Sequence, residues 1–359
     1  ALMELAARLA QQRPGTRMLI TGGTPPAAGG GATVIFAPAP TETLSACDAF
    51  LAHWRPALCL WTGGALRPAL LAQADRAGVP LFLVDADMAL LDRRGYRWLP
   101  DPARPILRRF TSVMARSRDT AQHLRRLGVS GDDITVTGPF REGAAALPHD
   151  EEARDRLATL LRGRPVWLAA MLRPEELGPV LAAHRDLSRI AHRALLIVVP
   201  DDTGDADAMR IELRAGDWRF RCWSLDESPE ETTQVLLADT RGEMGLWYRL
   251  SPITFMGSSL VPGQHGRDPN EPAAHGSAIL YGPNVRTYLD SYSRYAEAGA
   301  ARIVRDAETL GAAVRQLIAP DKAAAMATAA WDVASEAAQV TDSVLDLVQD
   351  TLDLSAAGA

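Results

Sequence analysis

Short apolar runs alternate with helical patterns along the first half of the chain. Six runs have the length and composition of strands: Met18–Thr21, Thr33–Ala37, Leu58–Trp61, Leu81–Val84, Ser112–Ala115 and Ile134–Thr137. Between them lie stretches with helical spacing, which are Thr43–His53, Ala65–Arg76 and Asp119–Leu127. Continuous apolar strands separated by helices are typical of a parallel sheet that is covered on both faces. The pattern therefore predicts an α/β, doubly wound domain.

The second half repeats this pattern after a crossing segment at Pro139–Arg154. Its predicted strands are Val166–Ala169, Leu195–Val199, Arg219–Trp223, Val235–Leu237, Ile253–Met256, Ala278–Tyr281 and Arg302–Val304. Its clearest helices are Glu175–Ile190 and Arg286–Ala298, and an Ala-rich helical region, Lys322–Leu354, is interrupted near Val340–Asp342. We predict two Rossmann-like domains, residues 1–140 and 141–330, and a helical tail, residues 331–359, that packs back across the domains.

Composition narrows the function classes. The 359 residues are 47% hydrophobic and carry a net charge of -6, which fits a soluble globular protein and argues against a nucleic-acid binder. Three widely spaced cysteines, Cys47, Cys59 and Cys222, indicate buried apolar positions and neither a disulfide frame nor a zinc site. No run approaches the roughly 18 apolar residues of a membrane span. Ala1–Gln12 resembles an amphipathic helix, not a signal peptide, so the sequence reads as beginning inside a domain.

Thr254–Pro283 has the layout of a ligand-binding edge. A strand ends in a glycine turn at Gly257, a Gly-rich polar loop follows, and Asn270-Glu271-Pro272 opens a short helix before the next strand. In open α/β sheets, ligands lie outside the carboxyl ends of strands and over helix N-termini. This stretch is therefore the first candidate for a binding site.

The same region resembles the Kdo transferase family. The matching segments are Leu236–Met244, Trp247-Tyr248, Phe255–Val261, Asp268–Ala274 and Gly282-Pro283, against family patterns DTxGEL, FVGGSLxxxGGHNPxEPA and GPH. Weaker matches in the first half are collinear: Leu19–Gly29, Leu127-Gly128 and Val136–Gly138. The family transfers 3-deoxy-manno-octulosonic acid (Kdo) from CMP-Kdo to the lipid A precursor in lipopolysaccharide core synthesis. The resemblance implies a GT-B glycosyltransferase with two Rossmann-like domains facing a cleft, inverting, and without a metal or cofactor.

The resemblance also implies a donor nucleotide site in the second half. Glu271 can accept hydrogen bonds from both ribose hydroxyls, and Gly257, Ser258 and Ser259 can offer N–H groups and hydroxyls to a phosphate. The alternative for Glu271 is a capping carboxylate, stabilised by ~0.3–1 kcal/mol at a helix start. The full predicted donor set is Gly257, Ser258, Ser259, Asp268, Asn270, Glu271, Glu243 and Gly282.

Departures from the family pattern concern donor charge and catalysis. Asp201-Asp202 stand where the family has Arg-His after Pro, and two carboxylates would repel an acidic donor by about 1 kcal/mol each. Arg173 or Arg210 could supply the lost positive charge. The family's catalytic Glu would precede Ala1, so no catalytic residue is assigned. Glu42 is a substitute candidate that reads better as a helix-capping acid.

Arg93–Arg126 is locally basic, with ten arginines opposed by Asp101 and Asp119. Such a region could meet phosphates of a lipid A-type acceptor and an anionic membrane surface, and we name Arg93, Arg94, Arg108 and Arg109 for this role. The alternative is a set of solvated helix faces with salt bridges. The acceptor interpretation places the protein peripherally on the cytoplasmic face of the inner membrane.

Three hypotheses stay open from the sequence. The first is a divergent Kdo-transferase-like enzyme that uses a CMP-activated acidic sugar and a lipid A-type acceptor. The second is a related glycosyltransferase with changed donor specificity, since the donor-charge residues differ while the ribose site persists. The third is a catalytically inactive homologue that binds a nucleotide or a partner enzyme.

Overall fold

The structure is a computed structural model that describes residues 1–22, 33–88, 104–141, 146–263 and 265–357. The chain divides into two compact units. Unit 1 comprises Ala1–Gly143 together with Glu336–Ala359, and unit 2 is the continuous stretch Ala144–Ser335. The boundary near the C-terminus therefore falls inside the last helix, Pro320–Ala357.

The described residues of unit 1 form two parallel sheets. Strands β1 (Met18–Thr21) and β2 (Val34–Ala37) form a pair, and a four-stranded sheet has the order β3-β4-β5-β6, with bounds Cys59–Thr62, Leu81–Ala86, Ser112–Ala115 and Ile134–Val136. The helices are α1 (Leu2–Gln12), α2 (Leu44–Trp54), α3 (Pro68–Arg76), α4 (Arg104–Leu107) and α5 (Arg118–Arg126). A 3-10 turn, Gly131–Asp133, precedes β6.

The sequence starts the unit 1 helices in recognisable ways. Thr43 caps α2 by accepting a hydrogen bond from the Ala46 N–H at 3.4 Å, as polar residues do at this position. The start of α3 is capped from a distance, because the Glu42 carboxylate accepts from the Ala69 N–H at 3.0 Å and also pairs with Arg67. Glu42 therefore caps α3 and not α2, which it precedes. This agrees with the interpretation of Glu42 as a helix-capping acid and not as a catalytic base.

Unit 2 is built on one seven-stranded sheet in which every pairing is parallel, with the order β13-β12-β11-β7-β8-β10-β9. In chain order the strands β7 to β13 are Val166–Leu172, Leu195–Pro200, Phe220–Cys222, Val235–Leu237, Ile253–Met256, Ala278–Tyr281 and Ala301–Ile303. Helices α6 to α12 are Glu151–Leu160, Pro174–Ser188, Ala206–Ala215, Met244–Leu250, Asn270–Ala274, Leu289–Glu297 and Ala307–Leu317. Single 3-10 turns occupy Thr203–Asp205, Trp223–Leu225 and Arg286–Tyr288.

Both faces of the unit 2 sheet are covered by apolar cores. Along β7, Trp167 and Ala169 belong to one core cluster, whereas Leu168 and Ala170 belong to the other. This alternation follows from the two-residue period of a strand and explains why the sequence shows continuous apolar runs. His184 of α7 lies in the first core, where its Nδ1 accepts from the Trp167 indole N–H at 3.1 Å and its Nε2 lies 3.0 Å from the Gln234 carbonyl oxygen.

The strand order of unit 2 creates a switch point beside β7. From β7 the chain proceeds to β8, β9 and β10 on one side, then crosses to β11, β12 and β13 on the other. At such a point the connections leave in opposite directions and open a crevice at the carboxyl ends of the two central strands, here β7 and β11. A ligand site is therefore expected just after Leu172 and Met256.

The last helix, α13 (Pro320–Ala357), is continuous over 38 residues, so the predicted interruption at Val340–Asp342 is wrong. Thr341 is buried, and its hydroxyl donates to the Ala337 carbonyl at 3.3 Å, which satisfies the polar group inside the helix. The first part of α13 contributes Ala330 and Ala334 to a core of unit 2. The later part contributes to a core of unit 1, with Val340, Val344, Leu345 and Val348 beside Leu5 and Leu9.

The predicted fold class, α/β with two doubly wound halves, is confirmed. Each predicted strand coincides with an observed one to within three residues. In unit 1 as in unit 2, neighbouring strand residues such as Leu83 and Val84 face different cores. Among the helices of the described ranges, none is long and apolar enough to cross a bilayer.

Candidate functional site

A cavity of about 310 Å³ lies at the switch point of unit 2. It is lined by residues from the ends of β7 and β8, from the loop after β11, from α10 and from the 3-10 turn before α11: Met171, Asp201, Arg267, Asp268, Glu271 and Tyr288. Two of the predicted donor-site residues, Asp268 and Glu271, are among them. The cavity therefore lies where both the topology and the sequence pattern place a ligand.

Glu271 offers a carboxylate to this cavity from the first turn of α10. Its Oε2 accepts a hydrogen bond from the Tyr248 hydroxyl at 3.2 Å. Burial, and then the negative charge of Asp268, raise the pKa of the Glu271 carboxyl above its ordinary value. A partly desolvated carboxylate makes stronger hydrogen bonds than an exposed one, so Glu271 is well suited to bind hydroxyl groups of a ligand.

Asn270 serves the turn that presents Glu271. Its side chain is fully buried, and its Oδ1 accepts from the Tyr295 hydroxyl at 2.7 Å and from Arg294 at 3.1 Å. Its backbone and side-chain N–H groups both donate to Asp268 Oδ1, at 2.9 and 2.7 Å. Asn270 is therefore a structural residue of the site, in contrast to its predicted place among the donor contacts.

The glycine turn after β11 does not present free donors to a phosphate. The backbone N–H groups of Ser258 and Ser259 donate to the Glu176 carboxylate, at 2.7 and 3.0 Å, and so does the Leu260 N–H at 2.7 Å. The Ser258 hydroxyl donates to the Met171 carbonyl and the Ser259 hydroxyl to the Met256 carbonyl. A buried carboxylate already accepts from these donors, so the phosphate role of this turn stays a prediction that these contacts do not support.

Glu176 is the residue that the sequence did not single out. It lies in the first turn of α7, fully buried, and also accepts from the Arg173 N–H at 3.2 Å. The sequence does show a pair of acids, Glu175-Glu176, shortly after the first strand of the second half. Its function here is to bind the start of the loop that carries Arg267 and Glu271.

Two predicted glycines are required by close backbone packing. A Cβ on Gly257 would lie 2.5 Å from the Met171 carbonyl oxygen, and one on Gly282 would lie 2.3 Å from the Ser259 carbonyl oxygen. The Gly257 N–H donates to the Ala170 carbonyl, and the Gly282 N–H to the Ser259 hydroxyl. Their donors are therefore used inside the protein, and these glycines shape the site without contacting a ligand through their N–H groups.

Glu243 and Arg210 are engaged elsewhere at the sheet edge. Glu243 Oε2 accepts from the Trp223 indole N–H at 3.0 Å and from the Thr240 hydroxyl. Arg210 forms an ion pair with Asp239, whose side chain is 1% exposed. Neither residue lines the cavity, so the structure supports no direct donor contact for them.

The two aspartates expected to repel the donor are each paired with arginine. The Asp201 side chain is 8% exposed and pairs with Arg173 at 3.3 Å and with Arg267. Asp202 pairs with Arg241 at 3.1 Å, and the Gly204 N–H, followed by Arg241, lowers the pKa of its carboxyl. The expected repulsion assumed unpaired carboxylates, and this assumption is wrong.

The basic region of unit 1 is only partly described. Arg93 and Arg94 lie outside the described residues. Arg108 donates from Nε to the Gly128 carbonyl at 3.2 Å, and Arg109 pairs with Asp75. These contacts fit solvated surfaces with salt bridges, and an acceptor role for the four arginines stays a prediction.

No group of three or more metal-ligating side chains occurs within the described ranges. His275 follows α10 and accepts from the Leu147 N–H through Nε2 at 2.9 Å. Burial, and then Arg249, lower its pKa to about 4, so it is neutral at pH 7. His275 is thus a structural residue of unit 2.

Comparisons with known proteins agree with the motifs. Residues 1–143 match a family described as 3-deoxy-D-manno-octulosonic-acid transferase (kdotransferase). The 3-deoxy-D-manno-octulosonic acid transferase of Haemophilus influenzae is 26% identical over 309 residues, covering 85% of this chain and 72% of that protein. The Bordetella pertussis enzyme is 29% identical over 320 residues, covering 87% and 73%. The chain is thus similar to Kdo transferases over most of its length, at modest identity.

The matched family and both of these relatives carry the name of a sugar transferase, which supports a glycosyltransferase. Among solved structures it is similar to the C-terminal CMP-Kdo binding domain of WaaA from Acinetobacter baumannii, at 23% identity and a TM-score of 0.47 over 53% of this chain and 98% of that one. It is also similar to MurG from the same organism, at 14% identity and a TM-score of 0.46 over 97% and 95%.

Proposed function

We propose that this Kdo transferase relative moves Kdo from CMP-Kdo to a lipid A-type acceptor, with inversion at the anomeric carbon and without a metal ion. The observation that carries the proposal is the Glu271 carboxylate in the switch-point cavity, within the longest stretch of family motif. The choice of Kdo as the transferred sugar is supported by the two Kdo transferases that align over most of the chain.

Glu271 would bind the ribose of the cytidine nucleotide. Its Oε2 already accepts from Tyr248, which fixes the orientation of the carboxylate, and two vicinal hydroxyls can donate to the cavity side. Hydrogen bonds to a charged acceptor of this kind contribute about 1.5–3 kcal/mol each. The catalytic base that inverting transfer needs is not assigned to any residue.

A direct test is isothermal titration with CMP. We expect Glu271→Gln to weaken CMP binding about tenfold or more, because the amide offers a weaker acceptor and a competing donor. Glu297→Gln is the matched control, since Glu297 is an exposed acid of the same unit. The site assignment is overturned if Glu271→Gln binds CMP as the unaltered chain does.

A related glycosyltransferase with a different donor is the second candidate. Three acids and one arginine line the cavity, which is an unusual charge balance for an anionic donor. Titration with CMP-Kdo, CMP and UDP-sugars separates the two candidates, because only the first predicts preference for cytidine nucleotides. Binding of CMP without any transfer to acceptor would instead favour the inactive homologue.

The acceptor half of the proposal concerns the basic region of unit 1 and contact with the cytoplasmic face of the inner membrane. Arg108 and Arg109 would meet phosphates of the acceptor or of anionic lipid. We expect the double variant Arg108→Glu/Arg109→Glu to lose binding to vesicles that contain anionic phospholipid. Arg302→Glu, on β13 of unit 2, is the control. Equal binding by all three proteins would contradict this role.

A further inference from the structure

The cavity of unit 2 contains an arginine that the sequence did not single out as a ligand contact. Arg267 follows Gly266 in the loop after β11 and directly precedes Asp268. Of the described residues that line the cavity, it is the one cation. Its side chain is 44% exposed, so the guanidinium can meet a ligand while one edge is held by the protein.

Asp201 holds that edge. Its Oδ1 pairs with Arg267 Nη2, and its Oδ2 pairs with Arg173 Nη1 at 3.3 Å. The Asp201 side chain is 8% exposed, and its backbone N–H donates to the Leu172 carbonyl at the end of β7. The carboxylate is therefore fixed to the sheet, and each of its oxygens binds a different arginine.

The charges of Asp201, Arg173 and Arg267 do not cancel. One carboxylate faces two guanidinium groups, and Arg173 approaches from the segment between β7 and α7, outside the cavity lining. Arg173 can therefore offset the charge of Asp201. The guanidinium of Arg267 then faces a cavity that it shares with the carboxyl groups of Asp268 and Glu271, and it is the group there that can bind an anion. A guanidinium with a fixed plane is suited to bind phosphate or carboxylate oxygens through two parallel hydrogen bonds.

We propose that Arg267 binds an anionic group of the nucleotide ligand, and that Asp201 is a positioning residue which orients Arg267 for this contact. The proposal rests on the proposed function, since it assumes a nucleotide in the cavity. The family pattern has an arginine where this chain has Asp201. In the proposal, Arg267 from the loop after β11 supplies the positive charge that this position lacks. The anion is the phosphate of the nucleotide or the carboxylate of an attached acidic sugar.

The first experiment measures selectivity for the anion. Affinities for cytidine, CMP and CMP-Kdo are determined by titration for the unaltered chain, Arg267→Gln and Arg267→Lys. We expect Arg267→Gln to weaken CMP binding about ten- to hundredfold while cytidine binding changes by less than about threefold. Arg267→Lys is expected to restore part of the loss, because it keeps the charge but not the paired hydrogen bonds.

The control and the ligand series make the result specific. Arg302→Gln removes the same charge from the same unit at an exposed position that binds Gln316, and it should leave the ratio of CMP to cytidine affinity unchanged. A loss for CMP-Kdo beyond that for CMP assigns Arg267 to the sugar carboxylate, and an equal loss assigns it to the phosphate. An unchanged ratio in Arg267→Gln overturns the proposal.

The second experiment decides between positioning and repulsion at Asp201. If Asp201 only repels the ligand, Asp201→Asn will bind CMP more tightly. If it orients Arg267, Asp201→Asn will bind CMP about three- to thirtyfold more weakly, with cytidine little affected. Tighter binding of CMP, or parallel losses for CMP and cytidine, would contradict the positioning role.

Failure of this inference can be told from failure of the proposed function. If cytidine and CMP bind, and Glu271→Gln weakens both, the nucleotide site stands whatever the result for Arg267. If neither ligand binds the folded protein, both proposals fall together. Circular dichroism of each variant confirms that the comparison is made on folded protein.

Discussion

Removal of the Glu176 carboxylate should destabilise unit 2 and release the loop after β11. This side chain is fully buried and accepts hydrogen bonds from three consecutive loop N–H groups, those of Ser258, Ser259 and Leu260, at 2.7, 3.0 and 2.7 Å. An alanine at this position leaves these donors without a partner in a region that excludes water. Each buried, unpaired N–H costs about 1–3 kcal/mol.

The three costs do not add fully, because the loop can relax and water can enter the space that the side chain leaves. We therefore expect Glu176→Ala to lower the free energy of unfolding by about 3–5 kcal/mol. Glu176→Gln keeps the shape, but its amide group turns a donor toward the Ser258 N–H. For this variant we expect a loss of about 1.5–3 kcal/mol.

Urea denaturation measures the stability, and hydrogen–deuterium exchange of the Ser258–Leu260 amides measures the local effect. Glu175→Ala is the matched control, because Glu175 precedes Glu176 in the same helix turn and is exposed. If the amides of the glycine turn stay as protected in Glu176→Ala as in the unaltered chain, this account of the turn is refuted. Equal destabilisation by the Glu175 variant would have the same consequence.

Two further predictions concern the core of unit 2. Burial lowers the pKa of His184 from 6.5 to about 4. The neutral imidazole therefore stabilises the folded protein fully above pH 6.5, and this stabilisation is lost as the pH falls toward 4, by on the order of 3 kcal/mol. Denaturation at pH 7 and pH 4.5 should show a smaller pH dependence for His184→Gln than for the exposed control His192→Gln, and equal dependence would contradict this. Gly282→Ala places a Cβ 2.3 Å from the Ser259 carbonyl oxygen, and we expect a loss of about 2–4 kcal/mol. Gly131→Ala is the control, because its Cβ would lie 3.7 Å from the nearest atom, an ordinary contact distance. We expect its melting temperature to lie within about one or two degrees of that of the unaltered chain, since the free energy of unfolding hardly changes.

The sequence predicted the sheets well because their signal is local. A buried parallel strand such as β8 needs apolar side chains on both faces, so it appears as a continuous apolar run whatever its neighbours are. The position of Glu271 at a cavity was predictable for a similar reason, since a strand, a glycine turn and a helix start follow each other closely along the chain. The interruption predicted near Val340–Asp342 does not occur, because Thr341 has a hydrogen-bond partner within its own helix.

The partners of the site residues were not predictable, because they come from distant parts of the chain. Glu176 binds the N–H groups of residues 82 to 84 positions later, and Arg267 pairs with Asp201 across 66 positions. The identity of a residue determines which groups its side chain can bind, but the sequence alone does not show which groups the fold places beside it. For this reason Ser258 and Ser259 read as free phosphate donors, and Asp201 as an unpaired charge.

The shared last helix imposes an order on how the protein is completed. Unit 2 is one uninterrupted stretch, whereas the core that contains Leu5 and Leu9 also needs Val344 and Val348 from the later part of α13. A ribosome releases the N-terminal segment first. The strands and helices near Leu5 must therefore wait, with part of their apolar surface uncovered, until more than 300 further residues have been synthesised. Unit 2 can close its core during this interval, so unit 1, most of which precedes unit 2 along the chain, is completed after it.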